Sequence, residues 1–146
     1  MIAAAAVGLM AAPAWAALGG SAATVQADRA HMQGTLRTVA MQSYAVHEIQ
    51  GSSGTVVREY VSSAGIVFAI TWHGPWPPDM QQLLGSYFEQ YVQAANAQGA
   101  SRLGRRPLLI EQPGLVVQFG GHPRSFAGRA YLPPMLPEGV RAEDIQ

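Results

Sequence analysis

Two glutamates, Glu48 and Glu59, lie in runs where polar and apolar residues alternate, SYAVHEIQ (43–50) and TVVREYV (55–61). The four-residue loop between the runs (51–54) pairs Gln50 with Thr55. That register places His47 opposite Arg58, Val46 opposite Glu59 and Glu48 opposite Val57. Tyr44, Val46, Glu48, Val57, Glu59 and Val61 then share a face, and extension to the next run adds Ile66, Phe68, Ile70 and Trp72. Two carboxylates diagonal to each other on an apolar face admit three explanations. They are desolvated acids with raised pKa fit for catalysis, or each is paired with an arginine such as Arg124 or Arg129, or a bulge turns them to solvent. Pairing or exposure is favoured over catalysis, because structural networks perturb acids as readily as active sites do. Glu59, between Val57 and Val61, is expected to be a structural acid with an Arg partner, Arg124 or Arg129, beside Arg58.

The second chemical candidate is Trp72-His73-Gly74-Pro75-Trp76-Pro77-Pro78, where a strand runs into a proline-stiffened loop. Indoles in a rigid loop can stack on a sugar ring, a peptide or a partner protein. Trp76, Trp72 and His73 are therefore the candidate binding residues, with Trp72 assigned first to the core. The four histidines, at 31, 47, 73 and 122, never fall at metal-ligand spacing, and no metal or cofactor is expected. Nucleophile-elbow, zinc-protease, phosphate-loop and dinucleotide signatures do not occur in the chain. The Arg102, Arg105 and Arg106 cluster reads as a solvated loop, with an anionic surface or partner as the minor alternative.

These groups need elements to carry them. The runs 43–50, 55–61 and 66–72 are separated by glycine-containing loops and predict an antiparallel meander. Further strands are expected at 108–111, 115–119 and 125–131, with turns at Pro113-Gly114 and Gly120–Pro123. Between the two sets, Met80, Leu83, Leu84, Tyr87, Phe88, Tyr91 and Val92 form a helical stripe. It predicts one helix over 79–98, with Asp79 as N-cap, Gln82 closing a capping box and Gly99 ending it. Residues 24–39 suggest a weaker N-terminal helix with Val25, Met32 and Leu36 inward. The expected class is α+β, an antiparallel meander sheet packed by one long amphipathic helix.

Composition bounds the rest. Of 146 residues, 49% are hydrophobic and 12% charged, and nine basic and nine acidic residues cancel. All nine basic residues are arginine, and cysteine is absent. A nucleic-acid binder acting through a basic surface is excluded on that balance, and stability must come from the core. The first sixteen residues, MIAAAAVGLMAAPAWA, carry no charge, and the first ionisable side chain is Asp28. The Ala-rich run, Pro13 and the Ala14-Trp15-Ala16 triplet predict a signal peptide over 1–16 and a single α+β domain over 17–146. A basic n-region is missing, and an uncleaved membrane anchor is the lesser alternative.

The stretches VHEIQ, SSGTVVREYVS, AGIVFAITWHGPWPPDM and LVVQFGGHPRSFAGRAYLP resemble the DUF2844 family. The most specific pieces are Arg58-Glu59-Tyr60, the Trp72-to-Pro75 turn and Leu83-Leu84-Gly85. The resemblance implies an exported bacterial domain and supplies no activity, substrate or catalytic residue. Two functions follow as expectations. The leading one is a non-enzymatic periplasmic or secreted domain binding or supporting an envelope protein or glycan. The alternative is a small hydrolase or transferase built on Glu48 and Glu59.

Overall fold

The structure, a computed structural model, describes residues 18–99 and 107–146. The expected signal segment 1–16 and the arginines 102, 105 and 106 lie outside the described residues. Seven antiparallel strands form one sheet: β1 (Thr35–Ala40), β2 (Tyr44–Gln50), β3 (Val56–Ser62), β4 (Val67–Gly74), β5 (Leu108–Gln112), β6 (Leu115–His122) and β7 (Ser125–Tyr131). Their order is β1-β2-β3-β4-β7-β6-β5. The first four strands meander. The chain then crosses one face as helices, enters the far edge at β5 and meanders inward until β7 pairs with β4. Alternating β-branched and aromatic residues favour strands here, and Gly54 and Gly65 adopt the positive φ (89° and 78°) that two of the turns require.

The expected helix over 79–98 is divided. Helices α2 (Met80–Leu84) and α3 (Phe88–Ala97) are separated by a 3-10 turn, Gly85–Tyr87, and Gly85 sits at φ 51°, ψ −120°. Glycine enters that region without the Cβ clash other residues suffer. The fold is α+β, but two short helices replace the single long one. Asp79 caps α2 as expected, its Oδ1 accepting from the Gln82 backbone N–H at 3.1 Å. The Gln82 side chain does not return to complete the box. Leu83 and Leu84 are buried, and Met80, Tyr87, Phe88 and Tyr91 pack at the margin of the core. After the break Ala94 and Ala95 occupy the core margin, and Val92 does not.

The N-terminal helix is also shorter than its pattern. α1 covers Val25–His31, after which Gln33 takes a positive φ of 49° and the chain extends into β1. Thr35, Thr38 and Val39 are β-branched and suit an edge strand. At Gly34 a Cβ would lie 2.7 Å from the Gln50 carbonyl oxygen, so the close pairing of β1 and β2 there depends on a missing side chain.

Each sheet face has its own core. Ile49, Val57, Ile70, Trp72, Ile110, Leu115 and Val117 pack beneath the helices. On the other face Tyr44, Tyr60 and Phe68 form an aromatic cluster, with Tyr44 and Phe68 edge-to-face at 5.8 Å. A register shift between Tyr60 and Val61 places Phe68 in this second cluster and not on the helix side with Ile70. The C-terminal segment straps this face. Ile145 is buried in the aromatic cluster, the Tyr60 hydroxyl donates to the Gln146 carbonyl at 2.5 Å, and Arg129 Nη1 donates to the Ala142 carbonyl at 2.6 Å.

Candidate functional site

The β2–β3 loop has five residues, not four, and this decides where the glutamates point. Thr55 stays in the loop: its carbonyl accepts from Gly51 N–H at 2.9 Å, and its buried Oγ1 donates to the Trp76 carbonyl at 2.8 Å. Gln50 therefore pairs with Val56, and the register becomes His47 opposite Glu59, Glu48 opposite Arg58 and Val46 opposite Tyr60. A one-residue slip turns all of β2 over. Glu48 lies on the strap face, where Arg58 Nε donates to its Oε2 at 2.8 Å and Arg37 Nη2 to its Oε1 at 3.3 Å. The Arg58 hydrogen bond holds its carboxyl below the usual range. Glu59 lies on the helix face. The expected Glu48–Glu59 pair is thus corrected: the two are on opposite sides of the sheet and cannot serve one site.

Glu59 is 1% exposed, yet its partner is not an arginine. Arg124 occupies the β6–β7 turn at φ 69°, and Arg129 lies on the strap face, donating from Nε to Gln118 Oε1 at 2.7 Å. Glu59 instead meets Asp28 of α1, which is fully buried and accepts from Gln82 Nε2 of α2 at 2.6 Å. Burial, followed by the bond to Asp28 and its charge, pushes Glu59 up to about 10. Burial raises Asp28 as well, opposed by its bonds to Glu59 and Gln82. Sequence reasoning missed Asp28, although its place between Val25 and Met32, at i+3 and i−4, already set it on the inward stripe of α1. A cleft of about 240 Å³ adjoins the pair, with His31, Asp79, Ser52 and Pro77 around it. His31 Nε2 stands 3.5 Å from Asp79 Oδ2 there. Asp28 forms part of the cleft wall, but none of its surface is exposed to water.

The tryptophan loop divides in two. Trp72 is 2% exposed and packs beside Phe119, ring centroids 5.7 Å apart, whereas Trp76 is 60% exposed. Trp72 and His73 also line a larger cleft of about 500 Å³, together with Pro107, Leu109, Gln118 and Arg129. Apolar walls with a few convergent polar groups are the usual make-up of a ligand cleft. Among the described residues no three His, Asp or Glu side chains are grouped to hold a metal ion.

The profile of a family described as proteins of unknown function, DUF2844, matches residues 14–145. The chain belongs to DUF2844. No curated protein and no solved structure matches it. In this DUF2844 domain the matched span takes in both clefts and the buried acid pair, as well as Leu18. That residue is already in the helix-side core, its N–H donating to the Leu83 carbonyl at 2.9 Å.

Proposed function

We propose that this DUF2844 chain is an exported, non-enzymatic binding or structural domain of the cell envelope. A cleaved signal peptide over 1–16 delivers it to the periplasm or the exterior. The large cleft is the binding surface, taking an envelope protein or glycan, and Trp76 is an exposed anchor on the loop that follows its His73 wall. One observation carries this reading: the cleft of about 500 Å³ opens among Pro107, Leu109, His73 and Arg129, whereas the carboxylates suited to acid–base work are separated by the sheet or sealed from water.

Two measurements test it. Mass spectrometry of the exported protein is expected to find an N-terminus at Ala17. An intact N-terminus in the membrane fraction would replace export with anchoring. Used as bait on its native envelope fraction, the protein is expected to retain a partner that Leu109→Asp and Trp76→Ala release by at least about tenfold, since central aromatic and apolar contacts carry most binding energy. Equal recovery by the parent and both variants would remove the cleft and the loop from the binding surface.

A further inference from the structure

Asp28 of α1 and Glu59 of β3 present their carboxyl groups to each other in a space closed to water. As two carboxylates they would leave Asp28 Oδ2 and both Glu59 oxygens without a donor, since the Gln82 amide reaches only Asp28 Oδ1. Among the described residues, no facing element bonds a cation to the pair. His31 of α1 and Asp79 ahead of α2 form their own half-exposed pair. His47, opposite Glu59 on β2, has its Nδ1 2.9 Å from Thr38 Oγ1, and burial lowers its pKa, which favours the neutral ring. The β4 residue opposite Glu59 is Ile70. Lysine is absent from the chain, and Arg37, Arg58 and Arg129 are engaged on the strap face. Two bare charges cannot persist in such a site, but one proton removes one of them: the protonated acid donates to the other, pairing two of the three leftover oxygens in a hydrogen bond.

We propose that the Asp28–Glu59 pair is a proton-operated latch, which holds the segment Leu18–His31 against the sheet while it binds one proton and releases it when the proton is lost. The segment is otherwise tied by a short set of bonds: Leu18 N–H to Leu83, Gly19 N–H to Val67, Val67 N–H to Gly20 and Ala22 N–H to Gly65, each 2.8 or 2.9 Å. Leu18 and Val25 add apolar contacts in the helix-side core, with Ala22 at its margin. The sign of the pH effect follows from where the proton sits. Released from the latch, Glu59 titrates near its ordinary 4.5, whereas in the closed form it holds its proton to about 10. Closing therefore takes up a proton between these values. The latch is strongest below the ordinary carboxyl range and loses about tenfold in its closing equilibrium for each pH unit above it.

Amide hydrogen exchange on the full chain, corrected for intrinsic exchange and followed from about pH 5 to about pH 9, tests this. The opening equilibrium of the Leu18, Gly19 and Ala22 amides is expected to rise about tenfold per pH unit, ahead of the amides of β3 and β4. Glu59→Gln, whose amide can donate to Asp28 without titrating, is expected to flatten that slope. A pH-independent wild type, opening in step with the central strands, or the same slope in Glu59→Gln would each overturn the latch. If Glu59→Gln does not fold, isotope-edited infrared spectroscopy of the wild type near pH 8 decides. A carbonyl band from a protonated side-chain carboxyl is expected, and its absence refutes the shared proton.

Discussion

Leu84→Ala is expected to lower the free energy of unfolding by about 2 to 5 kcal/mol, a large part of the roughly 5 to 15 kcal/mol that holds a domain together. Leu84 has no exposed surface and ends α2 in the helix-side core, immediately before the Gly85 break. The cost of such a truncation depends on how far the surroundings collapse into the space left behind. Collapse is hindered here, because α2 is tied at both ends of its short length. Asp79 caps its start, and the carbonyl of Leu83 accepts the Leu18 N–H. Urea unfolding at constant m-value measures the effect. A midpoint equal to the parent's would show that the helix layer is held by other residues. Met80→Ala, on the same stripe but only partly buried, is the internal control and is expected to cost less.

Gly128→Ala is the second change expected to be severe, for the opposite reason. Gly128 pairs with Trp72 on one side and Phe119 on the other. A Cβ there would overlap the Trp72 indole around Cζ2 and Cε2 and lie 2.5 Å from the Gln118 carbonyl oxygen. Neither obstacle yields cheaply. The indole is buried against Phe119, and the carbonyl belongs to a strand paired on both sides. Overpacking typically costs about 1 to 3 kcal/mol, and the upper end of that range or more is expected here. Trp72→Phe, itself destabilising, removes the outer indole ring and should recover part of the loss in the double variant. A double-mutant cycle with a coupling energy above about 1 kcal/mol would confirm that the two side chains compete for one space. Simple additivity would place the strain at the Gln118 backbone.

Much of this architecture is local and was legible in the residues. The six strands from Tyr44 to Tyr131 follow from period-two alternation between turn residues, and the Asp79 cap needs contacts only three residues away. The inward direction of Val57, Glu59 and Val61 on β3 was legible for the same reason. The failures share one physical character. The stripe from Met80 to Val92 scores as a single helix because periodicity registers side chains and not backbone freedom, while the break at Gly85 is a backbone event. β1 hides in a helical pattern because its strand conformation is stabilised by pairing with β2.

The hydrophobic alternation, the cap and the absence of lysine and cysteine determined an α+β domain built around its core, with an acid facing inward at position 59. Tertiary structure decided what that acid meets. The Thr55 hydroxyl, bonded to a carbonyl 21 residues away, lengthens one loop by a residue and sends Glu48 to the opposite face. Asp28, bonded to Gln82 across 54 residues, fills the position expected of an arginine. Spacing along a chain records which face a side chain takes, because that depends on the backbone period. It does not record which distant element arrives on that face. Whether Glu59 is neutralised by a cation or by a proton was therefore decided only when α1 docked on the sheet.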